Sequence, residues 1–227
     1  MSEMNMACFW IAELVPLAAT LFSLIYGLMH FFRKGKPLFL QSITMAMASY
    51  ALSVIYHLCL TFTSEVVMEG FTPAYLGRIG FFMFFITASY GQLDRIVDDR
   101  SPKMRLARLL AWIAPIGAVL LYIPNFTIED VPMSTKISYA LIWIPAIISV
   151  YYHLKHALIP NLDFGFIKAL KPYNVLVVCM SFVELICLTA WDYVEHGEFL
   201  AAMSVVFSIL CVCTMLAAKK GVDKWTI

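Results

Sequence analysis

Residues 199–218, FLAAMSVVFSILCVCTMLAA, run for 20 positions without a charged side chain and end on Lys219-Lys220. At ~1.5 Å per residue such a run reaches ~30 Å as an α-helix, the thickness of a bilayer's hydrocarbon core. Inside hydrocarbon the backbone must satisfy its own hydrogen bonds, so the run is read as a transmembrane helix. Six further apolar runs precede it, and the seven lie at about 9–32, 38–62, 75–97, 106–122, 136–154, 173–193 and 199–218. They are continuous rather than alternating, which excludes a transmembrane β-barrel. The expected fold is therefore an all-α polytopic membrane protein, one seven-helix bundle over residues 1–227.

Composition agrees with that reading. Of 227 residues, 62% are apolar and 14% charged, and the mean hydropathy is +0.82, where soluble domains hold ~45–50% apolar residues. Seven spans with short connections leave no room for a separate soluble catalytic or nucleic-acid-binding domain, and no nucleic-acid partner is expected. The first run is read as a retained helix, because residues 1–8 hold Glu3 and no Lys or Arg, and the apolar stretch outruns a signal-peptide core.

Basic residues give the expected orientation. Fourteen of the 16 Lys and Arg lie after the first run, between the third and fourth, between the fifth and sixth, or after the seventh. Only Arg78 and Lys136 fall on the other side, where Glu3, Glu65, Glu69, Glu129, Asp130, Glu195 and Glu198 collect. The positive-inside rule then places the amino terminus outside and the carboxyl terminus in the cytoplasm of a cell membrane. Lys36-Pro37 and Lys171-Pro172 are expected to open the second and sixth helices. Residues 155–171 form the longest inner connection, read as a plain loop in preference to an amphipathic headgroup segment. The six cysteines form no CxxC pair and read as small packing residues.

Ionisable groups within apolar runs carry the functional information, because each costs ~2.5–3.5 kcal/mol at mid-span. Glu184 sits near the middle of the sixth run, Glu13 and His57 lie toward the outer ends of the first and second, Arg78 opens the third, and Asp192 closes the sixth. Helical spacing gathers Asn174, Ser181 and Asp192 on one stripe with Glu184 ~60° aside. It also aligns Ser42, Ser49, Ser53 and His57, flanked by Tyr50 and Tyr56. Glu13, Thr20, Ser23 and Gly27 share a face of the first helix, and Ser149, Tyr152, His153 and His156 do so beside Pro145 on the fifth. Lipid would reject these faces, so they must look inward. Serine stripes are ordinary helix-packing devices, whereas a mid-span carboxyl is not needed for packing.

An outward-opening chamber is therefore expected, with Glu184, Glu13, His57, Arg78, Asp192 and Tyr56 as ligand-binding residues and Trp191 as a further wall. Being net acidic, it suits a small cationic or hydroxylated ligand. Pro16, Pro115 and Pro145 supply bends. At the inner end, Asp94 and Arg95 leave the membrane in a charge-rich stretch. The stretch reads first as a salt-bridged helix end, and more sharply as a cytoplasmic coupling point.

Ser53-Val54-Ile55-Tyr56-His57, followed by residues 79–90, resembles the second- and third-helix region of the hemolysin-III, adiponectin-receptor and alkaline-ceramidase superfamily. That resemblance implies a zinc hydrolase whose metal is completed by an HxxxH on the last helix. Here residues 199–218 hold no histidine. Residues 16–22 and 145–151 both open on proline, with a hydroxyl at +4 and an aromatic at +6. A 3+1+3 construction of this kind is similar to the SWEET and PQ-loop transporters, although no Pro-Gln pair occurs. No phosphate-binding loop, nucleophile elbow or retinal lysine is found, and neither an enzyme nor a cofactor is expected. The leading expectation is a sensor- or receptor-type module that binds a small molecule and signals through a cytoplasmic or membrane protein partner. A small transporter or permease component is the alternative, and a metal-dependent intramembrane hydrolase is a minor one.

Overall fold

The computed structural model describes residues 3–33, 35–63, 71–94, 98, 101–127, 132–159, 165–189 and 193–224. All regular structure among them is helical: α1 (Glu3–Phe31), α2 (Leu38–Thr63), α3 (Pro73–Ile86), α4 (Arg105–Ala111), α5 (Ile113–Tyr122), α6 (Pro124–Thr127), α7 (Met133–Leu158), α8 (Gly165–Cys187) and α9 (Tyr193–Asp223). Six helical stretches are long and apolar enough to cross a membrane, as expected of a multi-pass membrane protein in a lipid bilayer. The 14-residue α3 runs straight into an eight-residue π-helical stretch, Thr87–Asp94.

Several ends differ from the hydropathy reading, because hydropathy marks where lipid lies rather than where a backbone stops coiling. Helix α7 continues past residue 154 to Leu158, so Lys155, expected in a loop, is helical and only 3% exposed, and His156, expected on the inward face of this helix, is 2% exposed. The long inner connection does not exist as such, since α8 already begins at Gly165. Pro172 accordingly lies inside α8 instead of opening it. At its other end α8 stops at Cys187, short of residue 193. The fourth apolar run is interrupted at Trp112 and Ile123. Pro115 lacks the N–H that would bind the carbonyl of Ala111, and Pro124 does the same to the turn before it. In α9 the backbone kinks at His196 (φ −123°, ψ 16°), just ahead of Gly197.

Packing follows chain order around a ring. Helix α1 lies against α2, α2 against α3, α3 against α7, α7 against α8, α8 against α9, and α9 returns to α1. The interrupted fourth run sits outside this ring, α4 on α7 and α5 on α7 and α8. Its outer face is apolar: Trp112, Ile113, Ile116 and Leu120 are each at least 56% exposed, which suits contact with lipid. Small residues set the closest crossing. A Cβ added at Gly77 would stand 2.5 Å from the Ser49 carbonyl oxygen and 2.9 Å from Ser53 Cα, so α2 and α3 touch backbone to backbone.

A band of aromatic side chains fills the ring's middle. Phe81, Phe82, Phe85 and Phe207 are at most 1% exposed. Phe81 stacks edge-on to Tyr50 and Phe85, with centroids 5.2 and 5.0 Å apart. Charged clusters lie at both ends of the bundle, one where α1 begins and one at the opposite end.

Candidate functional site

At the end where α1 begins, all six ring helices contribute to a cavity of about 140 Å³. Glu13 comes from α1, Tyr50, Ser53 and His57 from α2, Tyr75 and Arg78 from α3, and Tyr139 from α7. Helix α8 adds Glu184, Thr189 lies two residues past its end, and α9 adds Ser204 and Phe207. The Tyr50 hydroxyl donates to Glu184 Oε2 at 2.7 Å. Arg78 Nε lies 3.4 Å from Glu184 Oε1, and the guanidinium sits 5.9 Å over the Tyr50 ring. His57 Nε2 faces Glu13 Oε1 at 3.8 Å.

Local sequence explains this convergence. Tyr50, Ser53 and His57 follow one another at spacings of three and four, so one face of α2 presents all three. Ser53 also donates to the Ala74 carbonyl at 2.6 Å, which pins the start of α3, and with it Arg78, against α2. Phe207 stacks on Tyr50 at 4.6 Å and holds the phenol toward α8.

The electrostatics are uneven. The Glu184 side chain is 2% exposed and that of Arg78 21%. A buried carboxylate is tolerable only when paired and hydrogen-bonded, and Tyr50 with Arg78 meets part of that need. Among the described residues, Glu184 Oε1 receives no hydrogen bond, and a 3.4 Å ion-pair contact is long for one. One strong acceptor at the cavity wall thus remains open to a donor. The His57 side chain is 44% exposed and stands at the mouth.

Glu13, His57, Arg78 and Glu184 are therefore brought together as expected. Tyr56 is not: it is 42% exposed, off the cavity face, and its place is taken by Tyr50. Asp192, Trp191 and Arg95 lie outside the described residues. Tyr50 was legible as the residue seven before His57, on the same helical face, whereas Tyr56 is rotated by ~100° from it.

Asp94, the other coupling residue, ends the π-helical stretch in a second polar cluster at the opposite end. Lys155 pairs with Asp94 and lies 3.3 Å from Asp98 Oδ2. His156 Nε2 donates to Asp94 at 3.0 Å. Arg108 Nη1 reaches Asp98 at 2.9 Å. Lys155 also sits 4.9 Å over the Tyr152 ring, so its cationic head is covered on that side. These partners come from α7 and α4, elements too far apart in sequence for spacing to reveal.

The described residues hold no group of three or more His, Cys, Asp or Glu placed to bind a metal ion. His57 is met by Glu13 rather than by further imidazoles, so the ligand set that the zinc-hydrolase resemblance calls for is not assembled. No protein-family model, curated protein or solved structure matches this chain.

Proposed function

We propose that this chain is a seven-helix integral membrane protein of the cell membrane that binds a small cationic or hydroxylated ligand in its cavity. It then acts as a sensor- or receptor-type module that passes a change in the bundle to a protein partner. The seventh span is α3 with its π-helical continuation, whose combined length suffices for a bilayer. The loop charges orient the amino terminus, and hence the cavity, outward.

The observation that carries the reading is the open Glu184 Oε1 on a cavity wall that also holds a second carboxylate, Glu13. Two carboxylates against one guanidinium leave an acidic excess. Phenol rings at Tyr75 and Tyr139, 5.9 Å apart, add faces that attract a cation. The charge network at the far end links α4 and α7 to the chain that leaves α3 and is the natural place for such a change to be read by a partner.

Ethanolamine, a small ammonium with a hydroxyl, tests the reading against its uncharged counterpart ethylene glycol. The purified protein is expected to melt at a higher temperature in ethanolamine but not in ethylene glycol, and Glu184→Gln is expected to remove the shift. Equal shifts with both compounds, or an undiminished shift in E184Q, overturn it. Impermeant thiol labelling of Ser2→Cys but not Lys224→Cys in intact cells, in a background free of native cysteines, tests the orientation.

A transporter or permease component is the second reading. It is favoured by one feature: α8 and α9 bury further polar side chains, Ser181, Asn174 and Thr214, outside the cavity lining.

A further inference from the structure

Basic residues at the end of the bundle opposite the cavity fall into two groups. Lys155 and Arg108 are each met by a carboxylate. Around the last turns of α1 and α9 the balance is different. Lys36 Nζ lies 3.5 Å from Asp223 Oδ1, which brings the chain leaving α1 against the last turn of α9. The Lys36 N–H donates to the Arg33 carbonyl at 3.1 Å, so Arg33 belongs to the same corner. Lys219, Lys220 and Lys224 lie within about one helical turn of Asp223. A Cβ added at Gly221 would stand 2.6 Å from Leu170 Cδ2 and 3.1 Å from the Ala169 carbonyl oxygen. The first turns of α8 therefore join the corner, with Lys168 and Lys171 on either side of that contact.

Among the described residues, Arg33, Lys168, Lys171, Lys219, Lys220 and Lys224 form no ion pair. Asp223 is the one acidic residue in the stretches 30–37, 165–173 and 216–224. Cations gathered around three helix ends repel one another, and an anion from outside the chain relieves that repulsion.

The corner stands at the foot of an apolar face. Ile25, Leu28, Met29 and Phe32 of α1 are each at least 41% exposed. Arg33 follows Met29 by four residues and so lies on the same stripe. Its Nε donates to the Met29 carbonyl at 2.9 Å, which holds the guanidinium at that foot. Lys219 reaches across the α1–α9 seam, its Nζ 5.6 Å over the Tyr26 ring. A ligand that suits both parts must offer an anion to the corner and hydrocarbon to the stripe.

We infer that the adjoining ends of α1 and α9 bind an anionic phospholipid of the leaflet at that end. Arg33, Lys36, Lys219 and Lys220 surround its phosphate, and its acyl chains lie along Ile25, Leu28 and Met29. Clusters of Lys and Arg beside membrane-spanning helices recognise such head groups by charge. Phosphatidylcholine carries its own ammonium and is the weaker ligand, and free phosphate leaves the apolar stripe unused. The site is separate from the cavity and does not depend on what the cavity binds.

Native mass spectrometry of the full chain, delipidated in detergent and titrated with phosphatidylglycerol or phosphatidylcholine, counts the lipids retained. One phosphatidylglycerol per chain is expected, held roughly tenfold more tightly than phosphatidylcholine. Joint substitution of Lys219→Gln and Lys220→Gln is expected to weaken its uptake by roughly tenfold. Arg105→Gln, which removes an exposed cation of α4 at the same end, is expected to leave uptake unchanged. Should the double variant fail to fold, Arg33→Gln is judged by the same criterion. Equal uptake of the two lipids, or equal losses in R105Q and the double variant, overturns the site. Phosphatidylglycerol uptake that excess inorganic phosphate abolishes overturns the lipid as its occupant. A dimeric mass that gains no phosphatidylglycerol overturns the proposal in favour of a second copy of the chain on the α1 face.

Discussion

The two polar regions of the bundle are built to different tolerances. Around the cavity the ionic contacts are long, 3.4 Å for Arg78–Glu184 and 3.8 Å for His57–Glu13, and one carboxylate oxygen stays open. At the opposite end Arg108–Asp98 and His156–Asp94 close to 2.9 and 3.0 Å, and Lys155 is held between two carboxylates. Charges packed for stability close on one another, whereas charges held apart across a space are poised for a third party. On this contrast the far cluster is a fastening of α4 and α7 to the chain that leaves α3, and the cavity, with its open carboxylate oxygen, is where the proposed ligand site lies.

The sharpest way to break the contrast is to remove the cation of the fastening. Lys155→Ala leaves two part-buried carboxylates with less compensation, and since a fully buried pair that loses one partner costs ~3–5 kcal/mol, a loss toward the lower end of that range is expected. Thermal unfolding in nanodiscs is expected to show that loss with the ethanolamine shift retained in the surviving folded protein. A K155A protein as stable as the wild type would show the cluster to be ornamental.

At the cavity, Tyr50→Phe keeps the ring between Phe81 and Phe207 and deletes only the hydroxyl. A hydrogen bond to a charged group contributes ~1.5–3 kcal/mol, so a smaller destabilisation than that of K155A is expected. The ethanolamine shift should nevertheless collapse, because Glu184 loses the donor that orients it. The reverse pattern, with stability lost and the shift intact, would make Tyr50 a packing residue.

Gly77 tests how far the cavity depends on the α2–α3 crossing. Gly77→Ala drives a methyl into the Ser49 carbonyl and Ser53, an overpacking expected to cost ~1–3 kcal/mol and to displace the adjacent Arg78. Gly91→Ala is the control, since its added Cβ meets nothing nearer than Thr87 at 3.9 Å. Equal melting temperatures for G77A and G91A would contradict the close crossing.

Different parts of this architecture are legible in the sequence for different physical reasons. The apolar runs announce the helices because lipid leaves the backbone no other solution. Four cavity residues are legible because charge within such a run is conspicuous. The pairing within the inner cluster is not, because Lys155 and His156 lie near an interface where charge is ordinary, and only the packing of α7 against the π-helical stretch after α3 reveals Asp94 as their partner. Helix ends escape for a related reason: α7 carries on to Leu158 once Asp94 and Asp98 replace water around Lys155. The choice between Tyr50 and Tyr56 depends on phase along α2, which a list of nearby polar residues does not fix.

That choice yields the smallest expected effect and the most diagnostic one. Tyr56 is 42% exposed on the face of α2 turned away from the cavity. Tyr56→Leu exchanges one apolar surface for another and is expected to change stability by no more than ~0.5 kcal/mol. The ethanolamine shift should stay at the wild-type value, in contrast to its collapse in Y50F. If Y56L abolishes the shift and Y50F preserves it, the binding face of α2 is rotated by about one residue, ~100°. Glu184 would then lose its phenol donor, and His57 would turn away from Glu13. The comparison between an open cavity and a closed cluster would fail at its first member, because the His57–Glu13 contact and the Tyr50 hydrogen bond to Glu184 both depend on the phase of that one helix.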